Sequence, residues 1–139
     1  MVKKISQRKY KQLLANIGLA ITTARSNAIQ AVNIQLVKAN WEIGRHIVEF
    51  EQQGNERAEY GSELLARLSK DLQQSYGKGF GRRNVLDMRR FYLAYNKWQA
   101  VPAKLSWSHF VTLIGISNTV ERKFYEKQAL YENWGYREL

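Results

Sequence analysis

The stretch Tyr76–Tyr92 reads YGKGFGRRNVLDMRRFY and places a glycine-rich bend directly before an arginine-rich segment. Three glycines fall within five residues, and apolar residues then recur at helical spacing. This spacing predicts a helix from Arg82 to about Trp98. The bend is either a solvated loop before an ordinary surface helix or a tight turn that presents a basic helix to an anion.

The rest of the chain also has helical periodicity. A single proline among 139 residues and the lack of an alternating β-branched run argue against a sheet. Besides Arg82–Trp98, five helices are predicted, at about Ser6–Thr23, Ala24–Gln52, Ala58–Ser75, Ser106–Gly115 and, capped by Ser117 or Asn118, up to Trp134. The sequence predicts an all-α fold of about six helices in one domain spanning 1–139.

The first two predicted helices carry continuous apolar stripes. The stripe of the first helix consists of Tyr10, Leu13, Leu14, Ile17 and Ile21, and that of the second consists of Ile29, Val32, Leu36, Ile43 and Ile47. A second helix of nearly 30 residues is long for a domain of this size. We expect part of its stripe to pack in the core and the remainder to join two copies in a two-fold homodimer.

The two helices around the bend form a candidate DNA-binding unit. A helix, a short glycine-containing turn and a second helix over about 58–98 match the helix-turn-helix arrangement, as in winged-helix-like folds, whose second helix enters the DNA major groove. The solvated-surface alternative predicts the same helices without a ligand.

Charge is distributed unevenly along the chain. The net charge is +10, and the positive blocks at 1–25 and 67–90 are separated by an acidic block at 26–66. Clustered basic residues favour a nucleic-acid partner, because phosphates dominate such binding. The alternative is a basic protein whose surface is simply solvated.

Composition also limits the class of protein. The chain has no cysteine, no apolar signal peptide at its start and no stretch near the length of about 20 apolar residues needed for a membrane span. We therefore expect a cytoplasmic location and no membrane partner.

The helical wheel of Arg82–Trp98 separates an apolar stripe from a charged face. The stripe consists of Val85, Met88, Tyr92 and Tyr95 with Leu86 and Leu93 beside it, and the outer face consists of Arg83, Asp87, Arg90 and Ala94. We predict phosphate contacts by the exposed basic residues and a base-edge contact by one amide. The candidate nucleic-acid-binding residues are Arg82, Arg83, Arg90, Lys78 and Asn84, with non-specific attraction from Lys3, Lys4, Arg8, Lys9 and Lys11.

Four other residues are assigned structural roles. Arg89 projects beside the apolar stripe, so it either lies along the core or pairs with a carboxylate, and we favour the ion pair. Trp41, Gly44 and Trp107 are interpreted as core or helix-junction residues. His109 is expected to pack or hydrogen-bond instead of catalysing a reaction.

Five successive motifs carry a family resemblance. They are AVN with WEIG (31–33 and 41–44), EYGxxLxxLSxDL (59–72), GKGFxRRNxxxMRRFY (77–92), LSWSH (105–109) and FYE with ENWxxREL (124–139). In this order they resemble the YhcG-like family. The resemblance implies an N-terminal helical DNA-binding-like domain that a PD-(D/E)XK nuclease domain follows in relatives. Gly81 departs from the usual capping serine, which weakens the cap by a few tenths of a kcal/mol.

The chain itself carries no recognisable catalytic motif. Glu121-Arg122-Lys123 matches the end of a PD-(D/E)XK site, but it falls in a predicted helix without an upstream Asp. We expect no enzyme activity, cofactor or metal. The predicted function is binding of nucleic acid, with double-stranded DNA favoured, to position a nuclease domain in cis. The alternative is a helical protein-interaction or dimerisation domain. Branched DNA and RNA remain open as ligands.

Overall fold

The computed structural model of the protein describes residues 6–53 and 62–139. These residues form α-helices and short 3-10 turns, with no strand among them, so the all-α prediction is confirmed. The helices of the described ranges are α1 (Gln7–Gln53), α2 (Ser62–Tyr76), α3 (Arg82–Ala94), α4 (Trp107–Ile114) and α5 (Thr119–Tyr131). The 3-10 turns are Lys78–Phe80, Trp98–Ala100 and Tyr136–Glu138.

The first two predicted helices are one helix of 47 residues, so the predicted break near Thr23 is wrong. The sequence between them contains no proline, and Gly18 costs a helix only about 1 kcal/mol, too little to end it. The Thr22 hydroxyl donates to the Gly18 carbonyl at 3.0 Å, within the helix. At 1.5 Å per residue, α1 is about 70 Å long.

The other helix ends follow local capping chemistry. The Ser106 side chain accepts from the His109 N–H at the start of α4, which begins close to the predicted position. Of the two predicted caps of α5, Ser117 and Asn118, the structure uses Asn118, which accepts from two N–H groups. Helix α3 stops at Ala94, four residues earlier than predicted, and Trp98 begins a separate 3-10 turn. The predicted start of α2 near Ala58 and the predicted stop at Gly54 lie outside the described residues.

Helix α3 contributes to both buried clusters. The larger one joins it to α1, α4 and α5, and the smaller one joins it to α1 and α2. The buried members of the larger cluster are Val37, Phe91, Tyr95, Leu105, Phe110, Leu113 and Ala129, and those of the smaller are Ile47, Leu65 and Val85. The core therefore lies on both sides of α3.

The backbones of α1 and α3 meet at Gly44. A Cβ atom at this position would overlap the Met88 carbonyl, lying 2.9 Å from its carbon and 3.0 Å from the Tyr92 Cβ. Real Cβ atoms essentially never come so near to backbone atoms. Only glycine allows the two helices to cross at this separation.

The N-terminal part of α1 lies outside this core. The predicted stripe residues Tyr10, Leu13, Leu14, Ile17 and Ile21 are each about half exposed. In the second stripe, Ile47 is buried and Ile43 packs beside it, whereas Ile29, Val32 and Leu36 are exposed. An apolar face on α1 thus extends well beyond the part of the helix that the core covers.

We expect Gly44→Ala to destabilise the protein by about 3 kcal/mol, because the added methyl group forces α1 away from α3. Gly18→Ala in the same helix is the matched control, since its Cβ would meet nothing within 4 Å. That change should stabilise the protein by about 0.5–1 kcal/mol. Urea unfolding measures both, and equal tolerance of the two alanines would contradict the crossing.

Candidate nucleic-acid interface

The bend between α2 and α3 is braced by α2. The buried Ser69 hydroxyl donates to the Phe80 carbonyl at 2.8 Å and accepts from the Gln73 amide at 2.9 Å. Gly77 has φ of 96°, a left-handed conformation that favours glycine. The bend is therefore a tight turn and not a loose loop.

Asn84 braces the bend from the other side. Its side-chain amide donates to the Gly79 carbonyl at 2.6 Å, and its Oδ1 accepts from the Trp107 indole N–H at 2.8 Å. Each end of the side chain thus has one hydrogen bond within the protein, and one N–H and one oxygen lone pair remain for a further partner. The structure gives Asn84 a positioning role, because it ties the bend and the start of α3 to α4.

Four of the predicted phosphate contacts are exposed in the bend and along α3. Lys78 in the bend and Arg82, Arg83 and Arg90 on α3 are exposed. The Arg83 side chain is 82% exposed, and its Nε lies 3.8 Å from Asp87 Oδ1. Gly81 is the N-cap residue of α3 and provides no side-chain hydrogen bond to the first turn of the helix. We call Lys78, Arg82, Arg83 and Arg90 the basic face.

The predicted wheel of α3 needs a correction at its edges. Phe91, which the predicted stripe omitted, is fully buried, while Leu93 is 52% exposed. Asp87, predicted on the outer face, is only 4% exposed. The buried arc of α3 is therefore wider than an apolar stripe alone predicts, because α1 and α4 pack against different sides of it.

The burial of Asp87 has an electrostatic consequence. Burial raises the pKa of this carboxyl above its ordinary value, and the charges of Arg83 and Arg90 oppose the shift in part. The carboxylate lies between two arginines of the basic face and neutralises part of their charge.

A shallow groove next to the basic face was not predicted from the sequence. It has a volume of about 380 Å³ and lies between α2 and the start of α3, lined by Ala66, Ser69, Lys70, Gln73, Gln74 and Arg82. Lys70 belongs to the positively charged block of sequence at 67–90 that also contains the basic face. This cluster of charge is the sequence feature that could have indicated the groove. The side chains of the groove add hydrogen-bond donors beside Arg82.

The described basic residues at the start of α1 do not join this surface. Lys3 and Lys4 lie outside the described residues. Arg8, Lys9 and Lys11 are exposed at the far end of α1. From Arg8 to the crossing at Gly44 the helix rises roughly 50 Å, so these residues are remote from the basic face.

Arg89 connects α3 to α1. Its Nε donates to Glu51 Oε1 at 2.6 Å and its Nη2 donates to Oε2 at 3.2 Å, with the two side chains 32% and 19% exposed. This bidentate pair supplies the carboxylate partner that the position of Arg89 requires. Arg89 therefore differs from Arg90, its exposed neighbour on the basic face.

The aromatic residues form helix junctions. The Trp41 indole N–H donates to the Tyr95 carbonyl at the end of α3 at 2.6 Å, and the Trp107 ring packs edge-on against Phe91 at 5.3 Å. His109 Nδ1 accepts from the Ser106 N–H, so its Nε2–H donates to the Trp134 carbonyl at 2.8 Å. These contacts make all three side chains structural.

Two further properties concern the described part of the chain. Nowhere in residues 6–53 and 62–139 does a helix combine the length and apolar character needed to cross a membrane. In the same ranges, no three histidine or acidic side chains come together in a way that could hold a metal ion.

These features define an all-α domain that displays a basic helix beside a braced bend. Residues 16–139 match the DUF1016 N-terminal domain, and the chain belongs to this family. A protein of Escherichia coli (strain K12) named "Putative nuclease YhcG" is 35% identical over 162 aligned positions, covering 94% of this chain and 43% of that protein. The YhcG-like resemblance is confirmed, and the chain spans less than half of this relative's length. No solved structure matches the chain.

We expect Asp87→Asn to stabilise the protein at pH 7, where the buried carboxylate of the parent is ionised at a cost in free energy. The pKa of the Asp87 carboxyl is raised above 3.8 in the folded protein, so folding favours its protonated form. The contribution of Asp87 to the free energy of unfolding therefore falls as pH rises from 3.8 through the pKa of the folded state. The advantage of Asn should therefore vanish below about pH 4. Urea unfolding at several pH values measures it, and an Asn variant less stable than the parent at pH 7 would contradict this account.

Proposed function

We propose that the domain binds nucleic acid, with duplex DNA favoured, through the basic face, and that α2, the bend and α3 act as a helix-turn-helix unit. The observation that supports this proposal is that Lys78, Arg82, Arg83 and Arg90 are all exposed in a braced turn and in the helix that follows it. A guanidinium can donate two parallel hydrogen bonds to a phosphate, so an array of three arginines fits a phosphate backbone.

The rigidity of the turn supports this function. Ser69 and Asn84 fix the bend from two sides, so α3 keeps its orientation without a ligand. A preformed surface loses less conformational entropy on binding than a flexible basic loop. Lys70 in the neighbouring groove extends the positive surface along α2.

We further propose that the domain positions a nuclease domain in longer relatives. The similar Escherichia coli protein is named "Putative nuclease YhcG", and this chain covers less than half of it. We propose that relatives place their catalytic domain beyond the region matched here, and that this region supplies binding and no catalysis. The Glu121-Arg122-Lys123 tripeptide supports no active site, because it lies in the first turns of α5.

A second candidate function is interaction with protein, including homodimerisation. It is favoured by the exposed apolar face on the N-terminal part of α1, which nucleic-acid binding does not explain. Salt separates the two functions, because phosphate binding weakens steeply with salt and an apolar interface does not.

We expect the double variant Arg83→Ala with Arg90→Ala to bind duplex DNA more weakly, with the log–log salt slope lower by roughly two units. Because Arg83 and Arg90 both offset the burial of the Asp87 carboxylate, the melting temperature should fall modestly, so binding is measured well below it. Fluorescence anisotropy at several salt concentrations, with duplex, branched and single-stranded DNA, measures affinity, slope and ligand preference.

Arg89→Ala is the control on the same helix. It removes one positive charge from α3 and leaves Glu51 without this partner, so stability should fall by about 1–3 kcal/mol while the salt slope stays unchanged. If the double variant kept the parent's affinity and slope, the basic face would be only a solvated surface.

A further inference from the structure

An apolar groove opens between the C-terminal part of α1 and α2. It has a volume of about 320 Å³, and its lining includes Ile43, His46 and Ile47 of α1 and Leu64, Leu68 and Leu72 of α2. The ring of Phe50 also lines the groove, so its lining is apolar apart from His46 and fits the apolar face of a helix.

The groove continues along α1 as an exposed apolar stripe. Tyr10, Ile21, Val32 and Ile43 are spaced by 11 residues, which is close to three turns of helix, so they form one row nearly parallel to the axis. Tyr10, Ile21 and Val32 are between 46% and 66% exposed. Ile43, at the end of the row, lines the groove. Stripe and groove are thus two ends of the same face.

We propose that the groove binds the N-terminal part of α1 from a second copy of the chain, in an antiparallel pair of α1 helices. A two-fold axis near residue 30 places opposite each other positions whose numbers sum to about 60. Ile17 then lies opposite Ile43, Leu14 opposite His46, and Ala28 near Val32. The apolar stripe of each copy then lies in the groove of the other copy, so the dimer contains two equivalent contacts, one at each end of the helix pair.

Charge selects a second copy and the antiparallel direction. The first acidic residue of the chain is Glu42, so the N-terminal part of α1 carries Arg8, Lys9 and Lys11 without an acidic neighbour on the helix. The other end of α1 carries Glu42, Glu49 and Glu51 with one arginine, Arg45. Glu49 already lies 3.9 Å from Arg45 and Glu51 pairs with Arg89 of α3, so the attraction between the two ends acts through net charge and not through a new ion pair. Antiparallel pairing brings these two ends within about one turn of each other, whereas parallel pairing would place like charges together.

The contact is also long enough for a stable dimer. Residues 10–50 of α1 extend about 60 Å, and each copy contributes both its stripe and its groove. Stable interfaces use about 20–30 residues from each partner, which the facing side of two such helices with α2 can supply.

Sedimentation equilibrium of the full chain at micromolar concentrations tests the pairing. We expect the parent to have the mass of a dimer and Ile17→Asp to be monomeric, with dimer affinity reduced at least about 100-fold by burial of a charge. Leu19→Asp is the matched control, because Leu19 is 67% exposed on the opposite side of the same turn, and it should stay dimeric. A monomeric parent, or equal effects of the two variants, would overturn the proposal.

Disulfide trapping tests the direction and the groove, because the parent chain has no cysteine. A chain with Ile17→Cys mixed with a chain with Leu68→Cys should form a mixed disulfide, and the exposed pair Lys9→Cys with Glu49→Cys should do the same. Disulfides of Ile17→Cys with itself would indicate parallel pairing and contradict the proposal. These assays contain no DNA, so their failure leaves the function of the basic face untouched.

Discussion

Two helix backbones are in direct contact where Gly44 of α1 faces the Met88 carbonyl of α3. No side chain can stand between them, since even a Cβ atom at position 44 would overlap that carbonyl. The crossing brings α1 near enough for Arg89 to reach Glu51 and for the Trp41 indole to reach the Tyr95 carbonyl. The Arg89–Glu51 ion pair and the hydrogen bond from Trp41 to Tyr95 join the same two helices as the crossing, and together they fix the position of α3 along α1.

The position of α3 in turn determines what the surface displays. With Val85, Met88 and Phe91 buried against several neighbours, the remaining side of α3 must face solvent, and it carries Arg82, Arg83 and Arg90. The bend before α3 is fixed separately by Ser69 and Asn84. Core packing and hydrogen bonds in the bend thus act together to orient the basic residues, although those residues contribute little to either.

Local patterns predicted the helices around the bend, the start of α4 and a cap of α5 at Ser117 or Asn118, because these depend on neighbouring residues. Local patterns did not predict the burial or the role of a residue where a contact between distant helices determines it. Periodicity identified the stripe from Tyr10 to Ile21, but it cannot tell a core face from an exposed face. The helical wheel placed Asp87 on the exposed face of α3, but the packing of other helices around α3 buries it. The role of Asn84 depends on Trp107, 23 residues away, which no local pattern connects to it.

The two surfaces of the protein are separated along α1. The basic face lies near the crossing with α3, while Arg8, Lys9 and Lys11 lie roughly 50 Å away along the helix. A dimer built on α1 would therefore carry two basic faces, one from each copy, at a spacing set by the helix pair. This geometry connects the two proposals without making either depend on the other.

The most direct test of the central claim, that α3 is oriented to present the basic face to nucleic acid, is NMR mapping of a duplex DNA onto the protein. DNA should shift the backbone amide signals of residues 77–83 and the side-chain N–H signals of Arg82, Arg83 and Arg90, and it should leave the signals of Arg89 unchanged. Shifts confined to the N-terminal turns of α1, or spread evenly over all exposed lysines and arginines, would contradict it.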